Sequence, residues 1–333
     1  MPITALKTLA LAAGVSLIAL TASAQSMTIK LATDSGAKGS PTGDAMEKWA
    51  SLIEEGTKGD IKVNIFYQNE LGGQQEIFDL FVANDVQLMI NWPSTSYDEQ
   101  IGLLYTPYML KSWDDAFKAY GQGGWLNGIL DEVYSDIGLK FFGAWPEGFN
   151  GVATKGKYAK SLEEAASLKV RVPTMFPMAE SLQAMGYQTA SIDWSETFTS
   201  IQTGVVDGDA ANVIYWDYEY FRDTINYYNR TRQQFITGVI SANGEFWSGL
   251  SDEQKKVVAD AAQVVMQDGF DAARTIDAGY VEKAKEAGIE YIEPSDSDLA
   301  PIARKVRDEV WPQMDKRIGQ EIMDKVRANA AEF

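Results

Sequence analysis

The residues of this chain best suited to chemistry are one arginine, a few carboxylates and a set of tryptophans. Lys169, Val170, Arg171 and Val172 read as a short strand that Pro173 stops. Between valines, the Arg171 guanidinium has three uses: snorkelling to the surface, forming a structural ion pair, or offering its planar fork to a carboxylate or sulfonate. The carboxylates Glu147, Asp193 and Glu196 could serve a secreted carboxylate-based enzyme such as a lyase or glycosidase. The chain contains no histidine and no cysteine, which removes Ser-His-Asp and Cys-His nucleophiles, thiolate or imidazole zinc sites and His-ligated haem. "DGDAAN" at Asp207–Asn212 lacks the terminal Glu of a calcium loop and reads as a turn. "GQGG" at Gly121–Gly124 lacks the Lys-Ser/Thr of a phosphate cradle. Aromatic residues gather near predicted strand ends: Trp92, Trp145, Phe149, Trp194, Tyr215 and Trp216.

The elements that must position these residues follow from periodicity. "MTIKLA", "DIKVNIF" and "VQLMI" are strands separated by helical patterns, a βαβαβ order that predicts a parallel sheet with helices on both faces. A second α/β unit follows, with strands at "VATKG" and "LKVRVP", an extended "YQTASID", helices over Met178–Met185 and Trp194–Gln202, and a turn at "VVDGDAA". "SGLSDEQKK" carries a capping box, Ser251 with Gln254, that opens a long amphipathic helix from Asp252 to Ala287, with Gly269 and Gly279 as candidate breaks. A last helix over Leu299–Ala331 is expected to be interrupted at Pro312. The fold class is therefore α/β in two lobes, with a cleft at the carboxyl ends of strands where small ligands bind. The predicted division is 27–148 with 237–276 for the first lobe and 149–236 with 277–333 for the second.

Residues 1–24 form a separate object. Lys7 precedes the apolar run "TLALAAGVSLIAL", and "ASA" at Ala22–Ala24 suits a small-residue cleavage site, the pattern of a secretory signal peptide cleaved near Ala24. The run is short for a membrane span of ~20 residues. The expectation is an exported protein free of the membrane. Its 29 Lys and Arg against 47 Asp and Glu give a net charge of −18, and removal of Lys7 with the leader lowers it by one more. So acidic a chain is a poor partner for nucleic acid.

Three stretches resemble, in order and spacing, the DctP-type substrate-binding proteins of tripartite ATP-independent periplasmic (TRAP) transporters: "IKVNIFYQNELGGQQEIFDLFVANDVQLMI", "LKVRVPTMFPMAESLQAMG" and "DWSETFTSIQTGVVDGDAAN". The family pattern is an Arg-Val-Pro strand followed by Ser195, Glu196, Gln202, Gly204, Asp207 and Gly208 in their fixed spacing. The resemblance implies a type II-like, two-lobed binding protein with a long helix spanning both lobes. Such a protein closes by a hinge over an organic acid and hands it to small and large permease subunits in the membrane. It implies no enzyme activity, no cofactor and no bound metal. It further implies that Arg171 pairs with the ligand carboxylate, that Trp194 and Trp92 are aromatic walls, and that Asp34 and Asn91 at strand ends supply polar contacts. Glu147, Phe149 and Trp216 complete the candidate ligand-binding set. The usual Asp-Gly-Gln-Glu-Asn of the family places its Asn at Ala211 here, so Asn212, one residue later, is the candidate substitute. The second Arg that some members carry is absent from "EGFNGVATKG". One cation, an acidic Asp34 and aromatic walls suit a ligand with one acidic group, carboxylate or sulfonate, and an apolar, aromatic or positively charged remainder. An ABC-type binding protein would share this architecture.

Overall fold

A computed structural model describes residues 26–333; the expected signal peptide lies outside them. The eleven strands among the described residues form two sheets. The first contains β1 (Met27–Ala32), β2 (Ile61–Phe66), β3 (Leu88–Asn91), β4 (Leu139–Phe149) and, later in the chain, β10 (Phe235–Asn243), in the order β2-β1-β3-β10-β4. The second contains β5 (Val152–Thr154), β6 (Lys169–Val172), β7 (Gln188–Ser191), β8 (Gly208–Asp209), β9 (Tyr227–Asn229) and β11 (Glu290–Ile292), in the order β11-β9-β5-β8-β6-β7. β1, β2 and β3 pair parallel, as the βαβαβ pattern predicts, and β10 runs antiparallel between β3 and β4.

Two direct strand-to-strand crossings join the sheets, from β4 into β5 and from β9 into β10, and the chain crosses a third time through the helix Asp252–Glu286, from β10 into β11. The helix Asp252–Glu286 spans both sheets: it packs against β4 and the helix Pro41–Gly56 on one side, and against the helix Ile214–Phe221 and β11 on the other. Its start is the expected capping box, Ser251 Oγ accepting from Gln254 N and Gln254 Oε1 accepting from Ser251 N. The helix does not break at Gly269 or Gly279. Gly269 is there for packing: a Cβ at that position would come within 2.7 Å of the Trp145 ring, so glycine lets the helix lie close on β4.

Two further expectations are corrected. The helix beginning at Asp296 runs through Pro301 and Pro312 to Arg317, because buried Val310, Trp311 and Met314 hold it against the core across the lost hydrogen bond. The chain breaks instead at Gly319, whose φ of 115° only glycine adopts readily, and resumes as Gln320–Asn329. "VVDGDAA" is more than a turn, since Gly208–Asp209 is a strand inserted between β5 and β6. Gly208 is required by that insertion. A Cβ there would stand 1.8 Å from the Ala153 carbonyl oxygen, a backbone atom with nowhere to move. Gly208→Ala is expected to lower stability by roughly 1–3 kcal/mol through overpacking, read as a lower urea midpoint.

Candidate functional site

Between the two sheets lies a small cavity of about 60 Å3, lined by Ser35, Gln74, Trp92, Tyr105, Glu147, Arg171, Pro173, Met175, Met178, Trp194, Ala211, Asn212, Trp216 and Ile236. Its walls come from the carboxyl ends of β1, β3, β6 and β8, together with helix starts and the crossing strands, as an open α/β architecture directs.

Arg171 is the third residue of β6, and its register partner on parallel β8 is Asp209. Adjacent strands in register put both side chains on one face, so Nη1 donates to Asp209 Oδ1 at 3.0 Å, with both side chains nearly sealed from water. Nε donates to the Ile192 carbonyl at 2.8 Å. Two of the three guanidinium nitrogens are therefore held by the protein, while Nη2 has no partner among the described residues on a side chain that lines the cavity. The Trp194 ring lies under the guanidinium, 5.8 Å from centroid to Cζ. Trp194 stands at the first position of its helix because Asp193 is the cap: Asp193 Oδ1 accepts from Ser195 N at 3.0 Å and from Ser195 Oγ at 2.7 Å.

Glu147 sits in β4 at a break in the β4–β10 register. Ile236 pairs with Gly148 and Thr237 with Pro146, leaving Glu147 as the extra residue of a bulge. Bulges redirect side chains, and this one turns a carboxylate into the cavity. Glu147 Oε1 accepts from Trp216 Nε1 at 2.7 Å, and buried Oε2 has no partner among the described residues. Burial pushes the Glu147 carboxyl up to about 8, the neighbouring Asp34 adds to the rise, and the Trp216 and Trp92 indoles partly offset it.

Asp34 and Asn91 lie behind the cavity wall. Gln74, the first residue of the helix Gln74–Val82, donates Nε2 to Asp34 Oδ2 at 2.7 Å and to the Trp92 carbonyl at 3.1 Å, latching the ends of β1 and β3 together. Burial raises Asp34 to about 7 against the lowering effect of the hydrogen bonds it accepts from Gln74 Nε2 and the Trp92 backbone N–H. Asn91 is buried with an unpartnered Oδ1. Phe149 is also off the cavity, packed edge-on against Trp113 and Phe235 at 6.3 and 5.2 Å between centroids. Asn212 does line the cavity, and its Nδ2 donates to Asp217 Oδ1 at 3.0 Å. Asp217 is fully buried and its carboxyl is pushed well above the usual range, by burial first and by Asp209 second.

Of the nine candidate residues, then, Arg171, Trp194, Trp92, Asn212, Glu147 and Trp216 meet in one cavity, while Asp34, Asn91 and Phe149 do not line it. Of the three acids suited to an enzyme, Asp193 caps a helix and Glu196 is exposed, so Glu147 alone reaches the cavity. Tyr105, Met175, Met178 and Ile236 were not singled out from sequence because nothing in an apolar residue's type separates a cavity wall from a core. Gln74 had a usable signal, a helix start directly after Gly72-Gly73 and opposite a strand end.

Residues 32–317 match the family of bacterial extracellular solute-binding proteins, family 7, DctP. Over 278 residues the chain is 25% identical to the ectoine-binding periplasmic protein TeaA of Halomonas elongata, covering 81% of each chain. It is 24% identical to the C4-dicarboxylate-binding periplasmic protein DctP of Shewanella loihica, covering 86% of this chain and 85% of the relative. The solved structure of the periplasmic ectoine-binding protein of the TeaABC TRAP transporter of Halomonas elongata superposes with a TM-score of 0.83 at 22% identity, over 91% of this chain and 98% of that one. No helix among the described residues is long and apolar enough to cross a membrane. Two sheets joined by two strand crossings, a long helix spanning both and a cavity at the strand ends agree with a family match over most of the chain: it belongs to the DctP family, the periplasmic substrate-binding proteins of TRAP transporters.

Proposed function

We propose that this protein captures a small organic anion, carboxylate or sulfonate, in the interlobe cavity and delivers it to the membrane permease subunits of its transporter. The observation that carries the reading is Arg171: a buried guanidinium with two nitrogens fixed by Asp209 and Ile192 and the third, Nη2, unpartnered at a cavity. A donor held in place at a cavity is ready for an acceptor, and an anionic oxygen is the strongest acceptor available. Fixing the other nitrogens in advance means that little side-chain entropy is lost on binding. Trp194, Trp92 and Trp216 supply the apolar walls and Asn212 a polar one.

Closure is the working motion, with lobes of 27–148 plus 237–276 and 149–236 plus 277–333 turning about the two strand crossings. Arg230, beside the β9–β10 crossing, ties it to the long helix by donating Nη2 to Asp277 at 2.7 Å. The protein is a carrier on this reading, in keeping with its family; among the described residues Glu147 is the carboxylate that lines the cavity. The test is a thermal-shift screen against small carboxylates and sulfonates, followed by recovery of the bound compound. A raised melting temperature with the compound returned unchanged is expected. Conversion of the compound to a product would replace this reading with the carboxylate enzyme, and no shift with any anion would remove the Arg171 role.

A further inference from the structure

We propose that Glu147, held within the indoles of Trp92, Trp194 and Trp216, is a second ligand subsite that takes a positively charged group, so that the captured anion is a zwitterion. This rests on the reading of Arg171 as the anion subsite.

Three independent features carry it. The first is aim: Glu147 is the unpaired residue of a β-bulge, Oε1 is anchored by Trp216 Nε1 at 2.7 Å, and Oε2 is buried without a partner among the described residues. A carboxylate fixed by one oxygen and open at the other is placed to receive a donor. The second is the box around it. Trp92 and Trp194 each meet Trp216 edge-on, at 5.9 Å between centroids with interplanar angles of 90° and 73°, and all three line the cavity. Indoles set at right angles present faces and edges to one small volume, an arrangement that attracts an alkylated or delocalised cation. The third is charge. Among the described residues Arg171 is the only basic one lining the cavity, and Asp209 already neutralises it. Asp34, Glu147 and Asp217 are buried around the same space, and Asp193 adds its field at Asp34. A ligand bearing negative charge at both ends would set its second anion beside these carboxyls with no cation to meet it, whereas a ligand bearing one charge of each sign brings the cation that lets Glu147 ionise.

Without ligand, Glu147 holds its proton at neutral pH because of burial. A cation arriving at Oε2 displaces that proton to solvent and leaves an ion pair, so binding is accompanied by proton release.

The test pairs zwitterions with anions of the same shape: glycine betaine with 3,3-dimethylbutyrate, taurine with propanesulfonate, and 4-aminobutyrate with valerate. The expected result at pH 7 is tighter binding of the zwitterion in at least one pair. Calorimetry in two buffers of different ionisation enthalpy should show release of about one proton for the zwitterion and none for its anion. Glu147→Gln keeps the acceptor for Trp216 Nε1, and is expected to lower zwitterion affinity at least about tenfold, lower the anion's by less than about threefold and abolish the proton release. Anions that bind as tightly as their zwitterions, or a zwitterion bound without proton release and unaffected by Glu147→Gln, would overturn the Glu147 subsite while leaving Arg171 in place. A panel in which no member binds, zwitterion or anion, would overturn the anion capture at Arg171 and this subsite with it.

Discussion

Arg171→Ala is expected to remove ligand binding and to destabilise the fold, and the two losses can be separated. Binding should weaken by at least ~2 kcal/mol, about 30-fold, because the ligand anion is left without a charged partner in a desolvated cavity. The second effect comes from Asp209, fully buried, whose Oδ1 would lose its only cation. Oδ2 keeps its bonds from Ala211 N at 3.0 Å and Asn212 N at 3.2 Å. Breaking a buried pair from one side typically costs about 3–5 kcal/mol, which for a marginally stable domain is a large share of the total. Adding Asp209→Asn to Arg171→Ala removes the orphaned charge while keeping an oxygen that can accept both backbone bonds, so the double variant should regain part of the lost stability and none of the affinity. Urea denaturation and calorimetry on the unmodified protein, the single variant and the double variant read the two quantities apart. An unchanged affinity in Arg171→Ala would end the anion-clamp role, and a double variant no more stable than the single one would end the account of Asp209.

Much of this site was legible in the sequence, and the remainder was hidden for physical reasons. Arg171, Trp194 and Trp92 declare themselves because strand ends can be read from period and from Pro173, and the cavity lies where strand ends converge. The ion pair was not legible. Asp209 is 38 residues from Arg171 in a run, "DGDAAN", whose local composition is that of a turn, and only the insertion of a two-residue strand brings the two into register. Local propensity here is overruled by the sheet that already exists on either side of β8. Asp34 shows the opposite error. Its place at a strand end was read correctly, but Gln74 occupies the space between it and the cavity. The expected break near Gly269, which the helix does not make, has a similar origin: flexibility and close approach both favour glycine, and sequence alone does not say which is in use.

The ligand-free stability of this protein should fall as pH rises through the neutral range, and Glu147→Gln should cancel part of that fall. The Glu147 carboxyl has its ordinary value of 4.5 when unfolded, and burial in the folded protein pushes it up to about 8. Between those values the folded chain holds a proton that the unfolded chain has released, so the stabilising contribution of the neutral carboxyl is fully present below about pH 4.5 and gone above about pH 8. Asp34, raised from 3.8 to about 7, acts in the same sense over a lower window. Glutamine cannot ionise, so the variant escapes the Glu147 share, on the order of 3 kcal/mol at pH 7 and close to nothing at pH 4.5. Melting curves of both proteins across pH 4.5–8, without ligand, measure it: the variant should be the more stable one at pH 8, with the curves converging at the acid end. Parallel curves would mean that Glu147 is ionised in the folded protein already. A variant that gains stability while losing its preference for a cationic group would place the Glu147 carboxyl among the residues retained for what they bind, since a neutral group at the same bulge folds better.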